Sequence, residues 1–119
     1  MKRIVFVCFV AGICILNACS KDDGGTTTPP PVTLDCSTVT KAFAANVNPI
    51  IQANCTGSSC HGSGSSNGPG DLLTYAKING AKTAIRSAVS SGAMPKGSSL
   101  TTTQKNTILC WIDAGAPNN

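Results

Sequence analysis

The sequence predicts a small all-α domain behind an N-terminal stretch that does not fold with it. The 119 residues open on an apolar run followed by a Gly/Thr/Pro-rich stretch, so the folding unit is well short of the whole chain. Inside that unit the clearest signal is a helix over Thr101 to Ala114. Thr101 and Gln104 have the Thr-x-x-Gln spacing of a capping box, Ile108, Trp111 and Ile112 mark a buried face, and Gly115 with Pro117 ends the run. A short helix is expected over 47–54, with Asn48 as N-cap and Pro49 in the first turn. Another is expected over Leu72 to Ile78, and a further helix should precede Met94.

Taken from the start, Lys2 and Arg3 precede an apolar run of 13 residues, Ile4 to Leu16. That is too short for an ordinary membrane-spanning helix and reads as a signal peptide over 1–18. Leu16-Asn17-Ala18-Cys19 resembles the lipobox of bacterial lipoproteins, with Asn where a small residue is usual. The resemblance implies that Cys19 becomes the first mature residue and carries a lipid; the alternative is a plain secretory signal with Cys19 as a bystander. Ser20-Lys21-Asp22-Asp23 is similar to the Lys-plus-acidic tag of some surface lipoproteins. It implies a lipid anchor in the cell envelope, at the outer membrane, on its periplasmic or surface face. Residues 19–35 then form a tether, flexible at Gly24-Gly25 and polyproline-like at Pro29-Pro30-Pro31. As a coil, Ser20 to Leu34 would span on the order of 20 Å.

The domain proper is 36–119. The mature chain from Cys19 has seven Lys/Arg and five Asp, a mild +2, far from the cationic stripe that nucleic-acid binding needs. One His and no Glu leave little for a hydrolase built on paired carboxylates. Over the 84 residues from Cys36, Leu, Ile, Val, Met and Phe number only fifteen, joined by Tyr75 and Trp111. Chains with under about 20% of such residues tend not to fold unaided. A large apolar cofactor, disulfides, or both must complete the core.

Of the seven cysteines, Cys8 and Cys14 leave with the signal peptide and Cys19 takes the lipid. Cys36, Cys55, Cys60 and Cys110 remain. Cys55-Thr56-Gly57-Ser58-Ser59-Cys60-His61 has the residue types that attach a c-type haem: two thioethers from cysteine and an iron ligand from the next histidine. The usual spacing is Cys-x2-Cys-His; Cys-x4-Cys-His is a rarer variant whose small extra residues can bulge outward. The bland alternative is a Cys55–Cys60 disulfide beside a chance histidine. Zinc fares worse, because the adjacent Cys60 and His61 diverge, and Cys36 or Cys110 would have to stay reduced outside the cytoplasm.

The flanking residues favour haem. Val47/Pro49/Ile50, then Cys55/Cys60/His61, the Gly-rich stretch Gly62 to Gly70, Met94-Pro95, and Trp111-Ile112-Asp113-Ala114-Gly115-Ala116 stand in order over residues 43–117. Together they resemble the class I single-haem cytochromes c, specifically the small domain of exported bacterial proteins. The resemblance implies a fold wrapped around one covalently attached haem c. Cys55 and Cys60 would be its attachment points, His61 and Met94 its axial ligands. Pro95 disfavours the α region for Met94 and leaves it on an extended segment, free to project inward. The loop Gly62 to Gly68 lacks the ending of a phosphate-binding loop and is expected to drape over one haem edge.

Tyr75 and Trp111 are expected to be core aromatics, Trp111 against the early helix. Cys36 and Cys110 are left to pair. Counting from Ile108, Cys110 falls on the outer face of the last helix with Asn106 and Asp113. A Cys36–Cys110 disulfide would therefore strap the incoming segment across that face. The function expected is single-electron transfer by a monomeric, membrane-tethered carrier to redox partner proteins, with no nucleic acid and no substrate turnover. If Met94 does not bind, a five-coordinate haem peroxidase or gas sensor is the alternative. A haem-free, disulfide-stapled binding lipoprotein is the third reading.

Overall fold

The computed structural model describes residues 34–119; the signal peptide, Cys19 and nearly all of the tether lie outside the described residues. All regular structure among the described residues is helical: a π-helical turn Phe43–Val47, then α1 (Asn48–Cys55), α2 (Tyr75–Gly80), α3 (Lys82–Ser91) and α4 (Thr102–Asp113). None of these helices is long and apolar enough to cross a membrane.

The first helix starts earlier than expected. Asn48 has helical torsions (φ −58°, ψ −44°) and does not cap; its Oδ1 accepts from Gln52 Nε2 at 3.0 Å. The starting N–H groups are satisfied from the far end of the chain. Phe43 N–H donates to Asn119 Oδ1 at 2.9 Å, and Ala44 N–H to the Asn119 carbonyl at 2.8 Å. Pro49 has no N–H to give the carbonyl one turn back. The turn ahead of it is correspondingly wide, with Val47 and Asn48 N–H reaching five residues back to Ala42 and Phe43.

The helix expected over Leu72 to Ile78 begins only at Tyr75. Thr74 is extended and its Oγ1 accepts from Lys77 N–H, which makes it the N-cap. Leu72 is held out of the helix by its backbone: its N–H donates to the His61 carbonyl at 2.9 Å, and its carbonyl accepts from Gln52 Nε2 at 3.0 Å. α3 stops at Gly92, whose left-handed φ of 76° suits a residue without Cβ. The chain then turns, and Met94 N–H returns to the Ala88 carbonyl at 3.2 Å.

α4 has the expected capping box. Gln104 N–H donates to Thr101 Oγ1 at 3.2 Å and Thr101 N–H to Gln104 Oε1 at 2.9 Å. It ends in a Schellman turn, with Gly115 N–H on Ile112 and Ala116 N–H on Trp111, both at 2.9 Å. Trp111 and Ile108 are fully buried beside Val47, Ile51 and Ile78. The Phe43 ring lies 5.4 Å from Trp111 and meets Tyr75 edge-on at 5.0 Å, so both aromatics are core residues as expected. Their polar ends are used by the C-terminal tail: Trp111 Nε1–H donates to the Pro117 carbonyl and Tyr75 OH to that of Ala116, each at 2.9 Å. Arg86 ties α3 to α4 through a bidentate pair with Asp113 at 2.7 and 3.0 Å.

Cys36 and Cys110 form a disulfide. Cys110 nevertheless does not face outward, being 1% exposed. The helical-wheel expectation fails there because the incoming segment covers that face: Leu34 packs against the core, and the bond holds Cys36 down on the helix. Ile112, expected on the buried face, is only partly buried.

Candidate functional site

Cys55 is the last residue of α1 and is half-buried; Cys60 is exposed on the loop that follows, and both are free thiols. The loop closes on itself, with Cys60 N–H on the Gly57 carbonyl at 2.8 Å and His61 N–H on the Cys55 carbonyl at 2.9 Å. This closure requires glycine at position 62. A Cβ there would lie 2.8 Å from the Thr56 oxygen and 3.1 Å from that of Gly57. Burial, and secondarily the nearby Cys60, push the Cys55 thiol above its ordinary pKa. It is a protonated thiol at neutral pH, not an activated thiolate.

His61 is 7% exposed, and its Nδ1 lies 2.8 Å from the Gly70 carbonyl. A carbonyl only accepts, so Nδ1 donates to it, and Nε2 is the ring nitrogen left available to a metal. Gly70 is itself fixed. Its φ of 96° is left-handed, its N–H donates to the Asn67 carbonyl, and the following Asp71 pairs with Lys77. The carbonyl partner was missed in the sequence because a main-chain oxygen leaves no trace in residue identity.

Met94 lies just past the end of α3 in a segment without regular structure and is partly buried. Cys55, Cys60, His61 and Met94 all line one cleft of about 340 Å³, with Lys96 among its walls. The cleft adjoins an apolar chamber of about 170 Å³ walled by Ile51, Leu72, Ile85 and Ile108, with the small Ala84 and Ala88 of α3. Cys55, His61, Gly68 and Met94 line both. Asn67 and Gly68 bring the Gly-rich loop to the cleft wall. The structure thus brings together the four residues singled out for haem binding. Cys36 and Cys110 are bonded to each other and unavailable to a metal. Among the described residues no group of three or more His, Cys, Asp or Glu converges as a closed zinc site would.

The lining suits a flat, mostly apolar ring. It offers aliphatic walls, two thiols, and an imidazole nitrogen and a thioether as donors for a metal. Compared with protein-family models, with curated proteins and with solved structures, the chain matches none. The functional reading accordingly rests on the residues and their geometry.

Proposed function

We propose that this chain carries single electrons through one covalently attached haem c, as a small class I cytochrome c domain on a lipid-anchored tether. The observation that supports it most is the convergence of Cys55, Cys60, His61 and Met94 on one cleft backed by an apolar chamber. When bound, the haem iron supplies the one-electron couple. Cys55 and Cys60 would hold the ring by thioethers, and His61 and Met94 would supply its two axial ligands. The hydrogen bond from His61 Nδ1 to Gly70 fixes the orientation of the imidazole. The Met94 thioether favours the reduced metal and a higher potential. Ile51, Leu72, Ile85 and Ile108 would give the ring an aliphatic inner wall. With His61 and Met94 both holding the metal, the role would be relay between redox partner proteins at an envelope membrane, by a monomer, and not turnover of a substrate.

The test is optical. Full-length protein made with haem-attachment machinery should give a pyridine haemochrome of one haem per chain and, when oxidised, the weak thioether-to-iron band. Met94→Ala should keep its haem, lose that band, bind carbon monoxide and show a lower potential. A colourless wild type would remove the haem reading in favour of a disulfide-stapled binding protein. A wild type that binds carbon monoxide as fast as Met94→Ala would replace relay by a peroxidase or sensor.

A further inference from the structure

Cys55 and Cys60 are separated by two residues more than the usual haem-attachment spacing, and something must hold the longer loop. Cys55 is fixed as the end of α1. Gly57, Ser58, Ser59 and Cys60 are all exposed, so apolar packing does not place them. Beyond the two backbone hydrogen bonds by which the loop closes on itself, the following Gly-rich loop holds them. The Cys60 carbonyl accepts from Ser65 Oγ and, at 2.9 Å, from Asn67 Nδ2. The Ser59 carbonyl accepts from the same Asn67 Nδ2 at 3.0 Å. Both partners are carbonyls, so the amide nitrogen must face them. Asn67 N–H also donates to Ser65 Oγ at 3.2 Å, and Ser65 N–H to the Gly62 carbonyl at 3.1 Å. The Asn67 carbonyl in turn receives the N–H of Gly70, the residue that holds His61. One side chain therefore links the position of Cys60 to the segment that orients the histidine.

We infer that Asn67, with Ser65, is a positioning residue that braces the long Cys55–Cys60 loop so that the Cys60 sulfur can reach its own vinyl group. This rests on the haem reading and deepens it. Each thiol adds its sulfur and hydrogen across one vinyl double bond. The S–H bond breaks, a C–S bond forms at the carbon next to the ring, and the hydrogen goes to the terminal carbon, with no electron gained or lost. Both cysteines must then be reduced and correctly spaced when the ring is seated. Cys55 meets that condition through α1 alone, whereas Cys60 depends on the brace. Losing Asn67 Nδ2 removes two hydrogen bonds, which lowers the equilibrium ratio of placed to displaced loops by roughly thirtyfold. The loss falls on the Cys60 link specifically.

Full-length wild type, Asn67→Asp (same shape, no donor), Asn67→Gln (donor kept) and Asn67→Ala should be made with the attachment machinery. The readouts are the pyridine haemochrome α band, the mass of the haem peptide, and alkylation of Cys60. Wild type should show two thioethers. Asn67→Asp and Asn67→Ala should show haem held by Cys55 alone, an α band moved to longer wavelength by the surviving vinyl, and an alkylatable Cys60. Asn67→Gln should recover part of the second link. Two thioethers in Asn67→Asp would overturn the brace and leave the haem reading standing, as would a wild type with one. Loss of all haem in Asn67→Asp with an intact Cys36–Cys110 bond would also overturn it, since the effect would not be selective for Cys60. A wild type without haem would defeat the underlying reading itself.

Discussion

Removing the Cys36–Cys110 disulfide should cost this domain a large part of its stability while leaving the cleft lined by Cys55, Cys60, His61 and Met94 intact. The bond closes a loop with a sequence separation of 74. On the chain-entropy account, a loop of that size restricts the unfolded chain by about 4 kcal/mol. For a domain of this size each kcal/mol shifts the melting temperature by about 4–8 °C, so the expected fall is about 15–30 °C. The substitution must be Cys36→Ala with Cys110→Ala. Cys110 is 1% exposed. Serine there would bury a hydroxyl, adding about 1–3 kcal/mol unrelated to the bond if it found no partner. Thermal melts of the exported protein by circular dichroism, wild type against the double variant, give the number, and wild type melted in reductant should approach the variant. Neither cysteine lines the cleft, so haem content and the visible spectrum should be unchanged. A fall of less than about 5 °C would refute the reasoning that the bond acts by restricting the unfolded chain.

Three further expectations can be checked in the same protein. Thr101→Ala removes one half of the capping box and should lower stability by about 1 kcal/mol, with Thr101→Ser near wild type; equal melts for all three would count against the cap. The hydrogen bond and charge of Arg86 hold the Asp113 carboxyl below its usual range. Its stabilisation is therefore present above the unfolded pKa of about 4 and is lost as the pH falls through the lower folded value. Arg86→Met should accordingly melt below wild type at pH 7 by a small margin that disappears in acid, and a margin that persists at pH 2 contradicts this. Finally, with only fifteen aliphatic-type residues in the domain, protein made without haem attachment should lack a cooperative thermal transition; a melt like that of the haem-loaded protein would show that the apolar stock suffices.

The parts legible in the sequence are those decided within a few residues. The α4 capping box and the left-handed Gly115 depend on neighbours in the chain, and each stands where its local chemistry puts it. Cys55, Cys60, His61 and Met94 were singled out from a short local pattern and the sole methionine downstream of it, and the structure shows that the four line one cleft. What was not legible depends on distant partners. Asn48 loses its capping role because Asn119, at the other end of the domain, starts the helix earlier. Leu72 has helical periodicity but is drawn out by His61 and Gln52. Cys110 faces outward on an isolated helix and is buried by a segment 74 residues away in sequence. The brace of Ser65 and Asn67 falls in the same class, since a Gly/Ser-rich stretch reads as mere loop until its hydrogen-bond acceptors are known.

The position of the disulfide also decides how the domain would bear mechanical load. Cys55, Cys60, His61 and Met94 all lie between Cys36 and Cys110, inside the covalent loop. A pull arriving from upstream of Cys36 and resisted beyond Cys110 passes through the sulfur–sulfur bond into α4. The π-turn, α1, α2 and α3 are left out of the force path. The same closure means that a single backbone cut between Cys36 and Cys110 leaves both pieces joined. A nick among the exposed residues Ser66 to Gly68 would open the chain without separating the histidine from the methionine.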